Sequence, residues 1–318
     1  MSKPVVSTNR KLMGIISLEL KFETLTGLLI MMPIQAQTYR IGGADRYPMV
    51  TKRKYTIETN VVELEVPLVP GSSFKGRMRG LLESAFGLRL YSADKKIWQH
   101  VRSLSAMGNK DFIKDIEERC VVDELFGWSA ANFEQIKRAV VEAKGVGEDV
   151  AEAEAMKYYS SLAPTRLLFS DFTPSQKYVV ENEPSSIADF LEEKSENRID
   201  RITAAADPRT IVRVKPGVEF EGEVKLLLFD NDKEHVRKYL ETLGIGLKLI
   251  EETYLGGSGS RGYGRVRFTN IALKILKVNV GEEKAEIKEE DIETLTSVKD
   301  FLEKVGEIAS KIVEKVYS

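Results

Sequence analysis

Two short stretches of this sequence crowd together the residue types that hold phosphates. The denser one is Gly256-Gly257-Ser258-Gly259-Ser260-Arg261-Gly262-Tyr263-Gly264-Arg265, with five glycines in nine positions. Each glycine loses roughly 0.5–1 kcal/mol more than alanine on being ordered. A loop set between a strong helix pattern and a strong strand pattern therefore implies that something approaches its backbone closely. Gly257, Gly259 and Gly262 fit the GxGxxG spacing, but a dinucleotide loop follows a strand and opens a helix, whereas this one follows a helix and opens a strand. No Gly-Lys-Ser/Thr is present, which excludes a P-loop. What remains is a loop whose amides, with the guanidinium groups of Arg261 and Arg265, hold phosphates while Tyr263 stacks on a base. RNA suits it better than a nucleotide cofactor.

The second stretch is Val69-Pro70-Gly71-Ser72-Ser73-Phe74-Lys75-Gly76-Arg77-Met78-Arg79-Gly80. A helix starting here carries the hydroxyls of Ser72 and Ser73 and the cations Lys75, Arg77 and Arg79 within its first turns. Cations are disfavoured at the positive end of a helix dipole, and an anionic ligand bound there reverses the sign. The histidines, His100 and His235, fall singly in predicted helices and are not expected to act as bases or ligands. Cys120, the one cysteine, reads as a small buried hydrophobe, and no Cys/His cluster has zinc spacing.

Amphipathic patterns place these stretches on elements. Residues 15–23 alternate, with Ile16, Leu18, Leu20 and Phe22 on one face, and 61–68 repeat the pattern; both predict half-buried strands. A helix with Ser72 or Ser73 as N-cap follows, ending near Gly87. Strand patterns recur at 219–229 and 265–272, flanking a helix over 234–254. Strands interleaved with two amphipathic helices predict an α+β sandwich with a ferredoxin-like core. Residues 92–160 read as helical, and 163–217 as strand-like with a turn around Ala206-Asp207-Pro208; both are insertions. The three-four spacing of Leu295, Val298, Leu302, Val305, Ala309, Ile312 and Val316 predicts one amphipathic helix over 292–317, packed on its own body or, alternatively, on a partner.

The charges restrict the partner class. The 318 residues carry 47 Lys+Arg against 49 Asp+Glu, a net charge of −2, which excludes a simple polycationic binder. Residues 281–318 hold eleven acids against six lysines, however, which leaves the rest at +3. Bases cluster at Arg40, Arg46, Lys52, Arg53 and Lys54; at Arg198, Arg201, Arg209, Arg213 and Lys215; and at the two motifs above. The longest apolar run, Leu28 to Ile34, falls far short of the roughly 20 residues needed to span a bilayer. With one cysteine and no leader pattern, the chain reads as intracellular and cytoplasmic.

Jointly, PGSSFKGRMRGLLE (70–83), DELFG (123–127), ENRIDRITAAADPRTIVRV (196–214) and ETLGIGLKLIEETYLGGSGSRGYGRV (241–266) resemble the RAMP-superfamily subunit that forms the backbone of type III CRISPR-Cas effector complexes, from about residue 15 to 275. The resemblance implies a ferredoxin-like domain over 12–280 with a helical lid at about 90–160 and a β-hairpin thumb within 163–217, then an acidic helical tail over 281–318. It implies copies stacked along a CRISPR guide RNA beside other subunits, with Arg201, Arg209 and Arg213 near the guide backbone. It further implies cleavage of guide-paired target RNA, with Mg²⁺ or another divalent ion, by an aspartate on the loop after the first strand. Asp45 is the acid of that loop here. Its carboxylate would position an ion or take the proton of a 2′-hydroxyl, while Arg40 or Arg46 stabilises charge on the phosphate. Thr26-Gly27-Leu28-Leu29-Ile30 carries Leu29 where the family has a histidine, removing one expected RNA contact. A non-catalytic scaffold with the same binding residues, and a guide-processing endoribonuclease, remain the alternatives.

Overall fold

The alternation near the start of the chain becomes the middle strand of the main sheet. In this computed structural model, which describes residues 10–32, 46–129, 131–162, 165–280 and 285–318, strand β1 spans Leu12–Thr24, with Ile16, Leu18, Leu20 and Phe22 buried on one face. A hairpin follows, β2 (Val50–Ile57) and β3 (Asn60–Pro67), then helix α1 (Gly71–Ala85). A helical block holds α2 (Leu104–Met107), α3 (Asn109–Glu118), α4 (Val121–Phe126), α5 (Phe133–Lys144) and α6 (Glu148–Ser161). Next come β4 (Leu167–Phe169), β5 (Thr173–Pro174) and α7 (Gln176–Asn182). The hairpin β6 (Leu191–Ile199) and β7 (Ala206–Val214) precedes β8 (Glu219–Phe229), α8 (Val236–Glu252), β9 (Val266–Val280), β10 (Ala285–Leu295) and α9 (Val298–Tyr317).

The main sheet runs β10-β9-β1-β8-β4, with β5 also on β8, and every pairing is antiparallel. The buried face of β1 meets the apolar stripes of α1, α8 and α9 in one core. Phe22 sits at its centre, with ring centroids 5.4 Å from Phe220 and 5.5 Å from Phe172, and Phe172 in turn lies 4.7 Å from Phe74 of α1. Such aromatic pairs add about 0.5–1.5 kcal/mol each beyond area burial, and they fix α1 on the sheet. The helical block has a separate core around Phe112, Ile116, Ile136, Val140 and Ala155. This is the expected ferredoxin-like α+β arrangement.

Several local expectations are corrected. Residues 285–295 are an edge strand on β9, so the tail helix starts at Val298 and not at 292. It packs on its own body, against α8. Residues 167–174 belong to the main sheet and not to an insertion. The insertion hairpin turns at Asp200–Ala205, because Ala206, Asp207 and Pro208 already pair with Ile199, Arg198 and Asn197. The helix over 71–85 is capped by neither serine: its Gly71 amide donates to Asp171 Oδ1 at 2.8 Å. His100 lies outside any helix, between the Tyr91–Gln99 bridge and α2, and His235 ends a 3-10 turn.

Candidate nucleic-acid interface

The glycine loop is tight because the protein itself fills the space beside it. At Gly264, with φ at +73°, a Cβ would run into the Leu255 carbonyl oxygen; at Gly259 it would run into the Tyr254 ring. The amides of Gly257, Gly262 and Gly264 donate to the carbonyls of Leu29 (2.8 Å), Gly259 (3.0 Å) and Gly27 (3.0 Å). Those three amides are therefore not a phosphate cradle. Tyr263 is fully buried beside Leu29 and Ile211, and its hydroxyl donates to Glu196 Oε1 at 2.6 Å. Burial first, then that bond, push its pKa up to about 12. A ring so enclosed does not stack on a base, which corrects that expectation. Leu29, at the position where a histidine was expected, is an apolar wall of the same small cluster.

Arg213 crosses the Tyr263 ring with its guanidinium carbon 4.4 Å from the centroid and pairs with Glu192 through Nε (2.7 Å) and Nη2 (2.6 Å). Its charge is already matched across the hairpin, where Glu192 faces Arg213 in register. Arg201, Arg209 and Arg261 behave differently. With Arg198, Glu196, Asn197 and Ile199 they line a groove of about 590 Å³ between the β6–β7 hairpin and the glycine loop. Arg198 is paired to Asp207 at 2.8 Å, and Arg261 donates to Ser258 Oγ at 3.0 Å. Arg201 and Arg209 have no carboxylate partner among the described residues. The structure thus joins two motifs some 50 residues apart into one cationic surface, and Arg265 lies exposed at its loop end. Arg198 was not singled out for the site, although strand pairing with Asp207 was the signal that would have placed it.

The α1 motif divides in the same way. Arg77 donates to the Tyr254 carbonyl at 2.9 Å and to Thr253 Oγ1 at 3.2 Å, stacked 3.9 Å from the Tyr254 ring. Arg79 is enclosed by Glu83 (2.8 Å), Asp123 (2.7 Å) and the carbonyls of His100 and Gly127. These two cations brace the fold, and the expectation that they hold phosphates is corrected. Lys75 is half-buried with no anionic partner among the described residues; burial, then Arg79, lower its pKa. The Ser72 side chain is exposed beside it. Ser73 and Lys75 therefore remain in the candidate surface with Ser72.

Asp45 and Arg40 lie outside the described residues. Arg46, next in sequence to Asp45, is fixed: its carbonyl accepts from the Val212 amide of β7 at 3.0 Å. Among the described residues one group has metal-ligand spacing, His100, Asp115, Cys120 and Asp123. Its imidazole and thiol are not donors that Mg²⁺ prefers, since Mg²⁺ takes oxygen ligands in octahedral geometry. That group does not fit the Mg²⁺ expected for cleavage.

A sequence model described as "RAMP superfamily" matches residues 22–267. The chain belongs to the RAMP superfamily. This RAMP protein is 29% identical over 275 residues to a protein of Methanocaldococcus jannaschii named CRISPR system Cms endoribonuclease Csm3, covering 85% of this chain and 86% of the relative. It is 32% identical over 221 residues to a protein of the same name from Methanothermobacter thermautotrophicus, covering 66% and 70%. The crystal structure of Methanopyrus kandleri Csm3 shares the fold, with a TM-score of 0.50, 20% identity, and coverage of 94% of this RAMP chain and 98% of that one. No helix among the described residues of the RAMP protein is long and apolar enough to cross a membrane.

Proposed function

We propose that this RAMP protein is a Csm3-type backbone subunit of a type III CRISPR effector complex, an endoribonuclease that lies along guide RNA in the cytoplasm, contacts further copies of itself and other subunits, and cuts the paired target RNA. The observation that carries the binding role is the groove in which Arg201, Arg209 and Arg261 converge from separate segments. The helical block is the lid of this reading and the β6–β7 hairpin its thumb. Guanidinium groups set along a groove hold a phosphate backbone without reading bases, which suits a subunit that must accept any guide sequence.

For cleavage, Asp45 takes the proton of a target 2′-hydroxyl. That oxygen attacks the adjacent phosphorus, the bond to the 5′ oxygen breaks, that oxygen takes a proton from solvent water, and a 2′,3′-cyclic phosphate and a 5′-hydroxyl are left. Support for this placement is the bond between Arg46 and Val212, which ties the residue after Asp45 to the root of the thumb. A divalent ion bound there would add positive charge at the phosphate. The assembled complex, incubated with labelled target RNA and Mg²⁺, tests the reading. The wild type is expected to cut at regular intervals, and Asp45→Ala to bind target while losing at least about 100-fold in rate. Full cutting by Asp45→Ala removes the assignment, and a wild-type complex that binds without cutting establishes the scaffold alternative.

A further inference from the structure

The β6–β7 hairpin carries its groove arginines well away from the body. Residues 197–208 are all exposed, so packing at the root sets the angle of the hairpin. At about 3.3 Å per residue, the strands carry the turn roughly 10 Å beyond Glu196. Play of about 10° at the root therefore moves Arg201 by about 2 Å.

One side chain of the glycine loop holds that root. On one face of the hairpin, Glu192, Lys194 and Glu196 of β6 stand opposite Arg213, Ile211 and Arg209 of β7. Tyr263 touches all three rows. The Arg213 guanidinium carbon lies 4.4 Å and Lys194 Nζ 4.5 Å from its ring centroid, Ile211 is buried with it, and its hydroxyl donates to Glu196 Oε1 at 2.6 Å. Lys194 reaches the same Oε1 at 3.4 Å. Glu196 is thereby occupied, which leaves Arg209, directly across the hairpin, to the groove.

The same root carries the end of the segment in which cleavage is placed. Arg46 forms a parallel bridge with Ile211, and its carbonyl accepts from the Val212 amide. The residues after it are tied to those after Leu29, the third member of the Tyr263 cluster: Met32 N donates to the Tyr47 carbonyl at 3.0 Å and Met49 N to the Ile30 carbonyl at 2.8 Å. The hairpin, the glycine loop and the segment ending at Arg46 thus share one anchor.

We propose that Tyr263 is a positioning residue that determines specificity: fully buried and without touching RNA, it fixes the angle of the β6–β7 hairpin and so the register in which RNA phosphates meet the segment ending at Arg46. The inference rests on the endonuclease reading above for where RNA is cut, and on RNA binding alone for where RNA is held. A misplacement of about 1 Å costs up to about 100-fold in rate, which makes the angle of the hairpin a determinant of which phosphate reacts.

Complexes assembled with wild-type, Tyr263→Leu, Tyr263→Phe or Glu196→Ala subunits test it, by mapping the cuts in labelled target RNA with Mg²⁺ at single-nucleotide resolution and by hydroxyl-radical footprinting of labelled guide RNA. Wild type is expected to cut one phosphate per interval and to give sharp protections. Tyr263→Leu should raise the share of cuts at neighbouring phosphates about tenfold and blur the protections, and Tyr263→Phe, which keeps the ring, should fall between the two. Glu196→Ala removes a negative charge from the groove, so it should bind RNA at least as tightly as wild type and still blur the protections, a combination that lost stability or altered charge alone does not produce. Sharp cuts and sharp protections in Tyr263→Leu overturn the proposal; if that variant does not assemble, Glu196→Ala, whose side chain is 21% exposed, decides in the same way. A wild-type complex that binds without cutting removes the endonuclease reading, and the footprints of the variants then decide this one.

Discussion

A guanidinium that already holds a carboxylate cannot neutralise a phosphate without giving that partner up, and this divides the basic residues of the molecule. Arg201, Arg209 and Arg261 face a groove, whereas Arg79 and Arg213 sit on acids of the protein itself. Single alanine changes at the first three are expected to flatten the slope of log affinity against log salt for single-stranded RNA by about 0.7 each, with the melting temperature unchanged. Arg79→Ala should instead cost about 3–5 kcal/mol in denaturant titration, because it strands buried Asp123. An unchanged salt slope in Arg209→Ala would return that residue to solvent. Tyr263 carries a pH signature. Its neutral hydroxyl is favoured in the fold, with a pKa pushed to about 12, so its contribution is complete below pH 10, the value in the unfolded chain, and is lost as pH rises toward 12. The urea midpoint of wild type should fall more steeply than that of Tyr263→Phe over that window; parallel curves would refute it. Composition and spacing picked out the right neighbourhoods here. They could not say which arginines point inward, since the deciding acids come from other elements: Asp123 for Arg79, and Glu192 for Arg213.

Among the elements, the glycine loop is a hinge of fit between β1, α8 and β9. Gly264→Ala should destabilise by about 3 kcal/mol or more, as it combines a positive φ with a collision against the Leu255 carbonyl; a melting curve matching wild type would contradict this. The helical block is held to the main core by buried ions. Arg166 binds Asp232 through Nε (3.0 Å) and Nη2 (2.8 Å), and it reaches Glu124 of α4 at 3.0 Å, all three being buried. The strands and helices with one apolar face were legible: β1, β8 and α8 follow their alternation. β2 was not, because Lys52, Arg53 and Lys54 mask it, although Arg53 pairs with Glu221 at 2.9 Å and Tyr55 is buried. β10 was hidden by the acids that protect an exposed sheet edge. The His100 cluster was not legible because only Cys120 and Asp123 stand at short spacing, while His100 from the segment before α2 and Asp115 from α3 join them through the fold.

For the molecule as a whole, the acidic tail is part of the body. Glu293 binds Lys304 (3.1 Å) and Lys311 (3.0 Å), and Glu290 binds Lys315, so these pairs tie β10 to α9. α9 buries Val298, Phe301, Val305, Ile308, Ala309, Ile312 and Val316. At about 1.5–3 kcal/mol for each of the six large apolar side chains, removing residues 296–318 withdraws about 9–18 kcal/mol, as much as the roughly 5–15 kcal/mol that holds a domain folded. The truncated chain should therefore be protease-sensitive throughout and should bind apolar dyes; a cooperative melt near the wild-type temperature would show that the helix is dispensable. The position of β1 sets a clock as well. Leu12–Thr24, the first strand among the described residues, is flanked by β8 and β9, and its partner in β9 extends to Lys277. At about 5–20 residues per second on the ribosome, it waits roughly 13–50 s for that neighbour. Its apolar face needs a keeper through that interval, and expression yield should depend more on chaperone supply than on the stability of the finished fold.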